Sequence, residues 1–496
     1  MPRNTPAPVL RPARQGGAAG LILISFIALR YLFVHAPAPV LHPDSYVYLS
    51  ESAQPVGDLV WGFFGAATWR PVGYPLFLHL CGAASEDAAT LVPVVHGQML
   101  LSGLAFGLAA LTAARHLCRT RWGRIAVIIV FALTSLTWFS GPWDAALLSE
   151  SVSLSCFLMI CVLLTIAFSR KTPPPHQKSD VDAPEFIDEQ PAGGRPVRFA
   201  VTLCVLLPLC AIFLQLRDAH IPLVLGLLGV MLIHVLRRWR AWSGPSRLAA
   251  ALWIAALAGL ALLQSRAAVA SGRADWPLTN VLSIRVLPDP ERFDAFVNDF
   301  GLPRELAPLV GRFVWDGWRD QPVYAAWLVD RGRTSYSQFL FSNPGYAARQ
   351  ILGAFRFAAE DVTSQNLAGY FATADGSSPL RLRLCAAVTD LMTLPQRLIV
   401  AAGGSQVFWP LLTALACMAA VILWREKQTG ALYASAFAVV VLVLQVAATT
   451  LLDACEDSRH NLLAYALLVL VFWLPLIVIC DDVSARRDAA NESASP

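Results

Sequence analysis

Charge is scarce in this sequence. Only 15% of its 496 residues are Asp, Glu, Lys or Arg, against about 25% in soluble globular chains. A soluble fold is thereby excluded for most of the chain. The net charge of +4 is too small to suggest nucleic acid as a partner. There is no Gly-rich phosphate loop, no HExxH and no dinucleotide fingerprint; Gly16–Gly20 (GGAAG) has no strand before it. Cysteines number 10, yet none form a CxxC pair or a Cys/His cluster at metal spacing. Most sit inside apolar runs as small buried hydrophobes. Alternating strands of the β-barrel kind and internal repeats are also missing.

What is present is a series of apolar runs of roughly 17–25 residues, the length that crosses about 30 Å of hydrocarbon as a helix. The expected fold class is an all-α polytopic membrane protein with about ten transmembrane helices. They are read near 17–36, 91–114, 125–141, 150–169, 199–216, 221–236, 248–265, 401–424, 430–452 and 461–480. Ala36-Pro37-Ala38 loosely mimics a signal-peptide cleavage site, but the first run is long for a signal and proline occupies the site, so an uncleaved span is expected. Lys and Arg cluster in alternate connections, at 3–14, 115–124, 170–198, 237–240, 425–427 and 486–487. The positive-inside rule then places both termini in the cytoplasm. The organisation expected is a membrane module, 1–265, with a first outer loop at 42–80 and a disordered cytoplasmic linker at 170–198. A small, mainly helical outer-face segment follows at 266–400, then C-terminal spans at 401–480 and a cytoplasmic tail at 481–496.

The segment 266–400 carries its own helix signals. Asp289-Pro290 reads as an N-cap followed by proline at the first helical position, with a stop near Gly301, and Asn343-Pro344 opens another helix. Its arginines and aromatics suit a small domain resting on a membrane surface.

With charge so rare, the charged residues of the outer loops stand out. Asp44 follows the first span, a costly place for a carboxylate unless it is used or paired. Glu51 lies seven positions on, and reads as structural. Glu150 stands where the chain re-enters the membrane, at a helix N-terminus that favours an anion. Arg70, Arg217 and Arg459 are single arginines on a face otherwise poor in basic residues. Each asks for an anionic partner: a carboxylate such as Asp218 or Asp457, or a phosphate, which the planar guanidinium suits.

Asp44, Arg70, Glu150 and Arg459 fall into three motifs, and together these resemble the C-type membrane glycosyltransferases (GT-C fold), which include protein O-mannosyltransferases and aminoarabinose transferases. The first is Asp44, Tyr46 and Tyr48 followed by Arg70-Pro71-Val72-Gly73-Tyr74-Pro75. The second is Leu148-Ser149-Glu150-Ser151, and the third Asp457-Ser458-Arg459-His460. Two departures stand out: serine follows Asp44 where several relatives have an Asp-Glu pair, and His460 takes a common tyrosine position.

The resemblance implies an inverting transfer of a sugar from a polyprenyl-phosphate donor to an extracytoplasmic acceptor (glycan, lipid or protein), at the outer face of the inner (plasma) membrane. Asp44 would be the general base, and Arg459, Arg70 and Arg217 would bind the donor phosphate. Glu150, His460 and Tyr46 would position acceptor or donor. Some members use a divalent metal and others none; Asp44, Glu150 and His460 could form a mixed site, and no metal ligand is assigned. Membrane lipids are the remaining partners. Competing readings are a polysaccharide polymerase or ligase using lipid diphosphates, a transporter or flippase, and a non-catalytic scaffold. A transporter predicts charges at mid-membrane and related halves, of which only Arg30 comes near.

Overall fold

A computed structural model describes residues 12–33, 39–63, 68–83, 87–169, 194–238, 244–360, 371, 379–452, 454 and 457–494. Among them the chain is helical, with a single isolated bridge between Val40 and Ala146 and no strands.

The helices run α1 (Pro12–Phe33), α2 (Pro43–Ser52), α3 (Val56–Phe63), α4 (Gly73–Leu80), α5 (Ala88–Leu117), α6 (Arg121–Leu136), α7 (Glu150–Phe168), α8 (Gly194–Leu214), α9 (Ile221–Arg238) and α10 (Gly244–Ala270). They continue with α11 (Asp275–Val281), α12 (Pro290–Phe300), α13 (Pro322–Trp327), α14 (Arg333–Ser342), α15 (Pro344–Glu360), α16 (Pro379–Gly403), α17 (Ser405–Arg425), α18 (Thr429–Leu452), α19 (Asp457–His460) and α20 (Leu462–Ala494). Eight are long and apolar enough to cross a membrane, which makes this a multi-pass membrane protein, while α1 and α8 carry shorter apolar stretches. The expected count of ten is thus met only in part.

Four boundaries differ from expectation. The helix expected over 125–141 stops at Leu136, because Thr137–Pro142 turns into an irregular loop. The linker expected over 170–198 is helical from Gly194, and 170–193 lie outside the described residues. The segment 266–400 is cut at both ends: α10 continues to Ala270, and α16 is itself long and apolar enough to span. Its charges obscured it in the sequence, yet Arg397 and Asp390 neutralise one another at 3.2 Å. Finally, 481–494 is not a loose tail but the continuation of α20. Asp482 and Arg486 pair at 2.9 Å one turn apart, and such pairs add a few tenths of a kcal/mol to a helix.

The bundle centres on α5, which packs on α1, α6 and α7, while α7 packs on α8 and α18. Glycines allow the closest crossings: a Cβ at Gly103 would lie 2.9 Å from the Ile27 backbone, the small-residue contact common between membrane helices. The two ends of the bundle differ. At one, Asp481 accepts the backbone N–H of Arg119 (2.6 Å) and of Thr120 (3.1 Å), and Arg119 also pairs with Glu426. This end carries described residues of the basic connections at 115–124, 425–427 and 486–487. The opposite end carries Asp44, Arg70, Glu150, Arg217 and Arg459.

Between α10 and α15 the chain builds a second apolar core from Val286, Phe296, Trp318, Trp327, Phe339 and their neighbours. The capping signals hold: the Asp289 side chain accepts the Arg292 N–H at 3.1 Å, and Gly301 ends α12 in the left-handed conformation (φ +70°). Asn343-Pro344 opens α15 as expected.

Candidate functional site

The site begins with a backbone pairing. Val40 N–H donates to Ala145 O (2.8 Å), and Leu147 N–H donates to Val40 O (3.0 Å). The chain leading into α2 is thereby fixed to the chain leading into α7. Pro43 occupies the first turn of α2, and Ser45 Oγ accepts the His42 N–H at 3.0 Å while donating to Leu147 O at 2.9 Å. Asp44 and Glu150 thus stand in the first turns of two helices with a common anchor, where the helix dipole favours anions.

The arginines arrive from three other places. Arg70 stands in the turn before α4. Its backbone N–H donates to Glu51 Oε1 at 3.0 Å, and its guanidinium donates to Asp44 Oδ1. Gly73 lets this turn press against the chain after α8: its N–H donates to Gln215 O at 2.8 Å, and a Cβ there would fall 2.7 Å from that oxygen. Two residues beyond Gln215, Arg217 Nη1 donates to Glu150 Oε1 at 3.0 Å. Arg459, on α19, joins both carboxylates, with Nε 2.8 Å from Glu150 Oε1 and Nη2 2.5 Å from Asp44 Oδ2. Asp218 does not pair with Arg217; it binds Arg273 Nε at 2.7 Å, and Arg273 also donates to Thr68 O at 2.7 Å.

Burial would raise the Asp44 carboxyl; the adjacent Arg459 and Arg70 outweigh it and hold it at about 2. Glu51 goes the other way. Burial pushes it up, and its Oε2 has no hydrogen-bond partner. It clamps the Arg70 turn rather than joining the charge network.

The two tyrosines of α2 differ in burial. Tyr46 is 46% exposed. Tyr48, two residues on and therefore on another face of α2, is buried: its ring lies 5.5 Å beneath the Arg70 guanidinium and its hydroxyl 3.5 Å from Ser149 Oγ. His460 lines the same small pocket as Glu150, Arg217 and Arg459. The pocket has room for about one water, and the buried Ser153 Oγ and Gln445 Oε1 bordering it lack hydrogen-bond partners. The Asp457 side chain lies outside the described residues.

One feature escaped sequence reasoning. Arg30 and Asp144, both fully buried, pair at 3.0 Å beside this pocket. Ser102 and Ser151 donate to the Asp144 oxygens at 2.6 and 2.5 Å, and Arg30 also reaches Ser135 O and Ser140 Oγ. A lone arginine in the first apolar run was the available signal, because a charge there demands a partner.

A divalent cation does not fit the residues described. Asp44 and Glu150 give their oxygens to guanidiniums, and no group of three or more His, Cys, Asp or Glu is placed to hold a metal. All nine described cysteines are free thiols.

Beneath the charged cluster lies an apolar cavity of about 1180 Å³, larger than a typical drug-sized pocket of ~300–1,000 Å³. Its walls include Leu117, Phe157, Trp409, Val439, Leu470 and Pro475. Four helices serve both places, α5 with Ser102 above and Thr112 below. α7 presents Glu150 above and Phe157 below, α18 Gln445 above and Val443 below, and α20 Leu462 above and Leu467 below.

Comparison with family models, with characterised proteins and with solved structures gives no match for this chain.

Proposed function

We propose that the chain is an integral membrane glycosyltransferase of the GT-C kind. It moves a sugar from a polyprenyl phosphate to an extracytoplasmic acceptor. One observation carries the reading: two carboxylates and three guanidiniums converge at one end of the bundle, and α7, which carries Glu150, lines a large apolar cavity farther along. A lipid phosphate has these two halves, an anionic head and a long apolar chain. The basic end would face the cytoplasm, which sets the cluster at the outer face of the inner membrane, with the α11–α15 region beside it.

In the reaction, the acceptor hydroxyl oxygen attacks the anomeric carbon from the face opposite the phosphate. Its proton passes to Asp44 as the new glycosidic bond forms. The anomeric C–O bond breaks, and its electron pair leaves with the polyprenyl phosphate, whose charge Arg459, Arg217 and Arg70 stabilise. The anomeric centre inverts. No nucleotide is consumed, because the sugar–phosphate bond supplies the activation. Glu150 holds Arg217 and Arg459 in place, and His460 borders the pocket.

Three guanidiniums also suit a diphosphate, so a lipid-diphosphate donor is the second reading. Purified protein supplied with lipid-linked sugars of both kinds separates them: mass spectrometry of the released lipid identifies polyprenyl phosphate or diphosphate. Transfer from neither, with a folded protein, removes the transferase reading.

A further inference from the structure

Asp44 is held as a weak base in the arrangement described, with a guanidinium on each oxygen. A general base must present a free lone pair to the attacking hydroxyl, at about 2.6–3.2 Å. Here Oδ1 receives Arg70 and Oδ2 receives Arg459 at 2.5 Å. Each oxygen keeps a second lone pair, but two guanidiniums draw on the charge of this carboxylate, and release of one of them makes it the stronger proton acceptor.

The two arginines are not equally able to leave. The Arg459 side chain is 6% exposed, and its Nε is fixed on Glu150, which Arg217 holds in turn. The Arg70 side chain is 34% exposed. Its guanidinium touches Asp44 on one side and the Tyr48 ring on the other. Its backbone is anchored by Glu51 and, through Thr68 O, by Arg273. The result is a fixed root carrying a partly exposed arm.

We propose that Arg70 is the exchangeable partner of Asp44: an arriving phosphate ester draws the Arg70 guanidinium off the carboxylate and thereby strengthens the base, so that donor binding precedes activation of the acceptor. The exchange swaps one charge-assisted hydrogen bond for another of comparable strength. Arg459 stays, held by Glu150, and keeps Asp44 oriented through Oδ2. The charged groups around Asp44 are Arg70 before α4, Arg459 on α19 and Arg217 after α8, with Glu150 and His460 across the cluster and the Tyr48 hydroxyl below. Withdrawal of Arg70 removes one of three cations and brings up an anion, and both changes make the Asp44 carboxyl easier to protonate. This inference rests on the phosphate-donor reading above.

The test uses the full-length protein in detergent, with farnesyl phosphate as probe and farnesol as its uncharged control. Binding is measured by titration calorimetry. Protonation of Asp44 is read as its labelling rate by dicyclohexylcarbodiimide at pH 6, followed by peptide mass spectrometry, since the reagent attacks the protonated carboxyl. Farnesyl phosphate is expected to raise the wild-type rate on the order of tenfold, the effect of about one pH unit in an acid's midpoint; farnesol leaves it unchanged. Arg70→Gln labels at the raised rate without any phosphate and does not respond further. Arg70→Lys, which keeps the charge, starts low and responds. Binding of farnesyl phosphate with unchanged or slower labelling overturns the exchange and leaves the transferase reading standing. Absence of binding overturns the phosphate-donor reading beneath it.

Discussion

Two clusters of buried charge lie side by side in this protein, and they are built on opposite plans. Arg30 and Asp144 form a sealed pair: one cation, one anion, both fully buried, with serines filling the remaining hydrogen-bond positions. Asp44, Glu150, Arg70, Arg217 and Arg459 form a shared network. Arg459 divides itself between two carboxylates, each carboxylate receives two guanidiniums, and Arg70 is partly open to solvent. A sealed pair resists exchange and suits a structural role. A shared, partly open network can trade a carboxylate for an incoming anion. The neighbouring loop 141–149 links the two, because it carries Asp144 and leads into Glu150.

The sharpest way to break the comparison is at the bases of the two clusters. Asp44→Asn is expected to lower sugar transfer by about 10²–10⁴-fold, the usual worth of a positioned general base, while the melting temperature stays within a few degrees. Transfer assays paired with thermal unfolding in detergent check both halves; undiminished transfer removes Asp44 from catalysis. In the sealed pair the pattern reverses. Arg30→Ala or Asp144→Ala leaves a buried charge alone, at a cost of about 3–5 kcal/mol, whereas Arg30→Met with Asp144→Leu recovers most of the loss. If the double variant is no more stable than the singles, the pair is not an isolated unit.

Gly73→Ala probes the seam that brings Arg70 toward Arg217. The added Cβ meets Gln215 O at 2.7 Å, so the backbone must part, at about 1–3 kcal/mol. Transfer should fall together with stability. The mildest effect concerns pH. Asp44 is depressed to about 2, below the unfolded value of about 3.9. Its stabilisation is therefore complete above about pH 5 and fades as pH falls toward 2, by roughly 2 kcal/mol. In Asp44→Asn this component of acid lability should vanish, as seen in unfolding midpoints between pH 5 and 3.

The sequence made the membrane helices visible, since apolar runs long enough to span announce themselves. It also exposed Asp44, Glu150, Arg70, Arg217 and Arg459, because scarce charge on an apolar chain must be paired or used. Which charges meet was hidden. Asp44 and Arg459 lie at opposite ends of the chain, and nothing local distinguishes Asp218, which binds Arg273, from Glu150, which binds Arg217. The phase of α2, which leaves Tyr46 exposed and buries Tyr48, was not legible in so short a helix. α16 was concealed by its arginines, and the helical end of α20 by its polarity. Arg30 had drawn attention, but its partner sits in another loop.

The bridge between Val40 and Ala146 carries a last consequence. Each carboxylate follows its bridge residue by the same interval, Val40 to Asp44 and Ala146 to Glu150. Main-chain hydrogen bonds therefore act as the zero mark from which both acids are counted. Side-chain changes along these two stretches leave the count intact. A single inserted or deleted residue in either would turn one carboxylate about 100° around its helix while its counterpart stayed in place. The site should tolerate substitution here far better than any change in length.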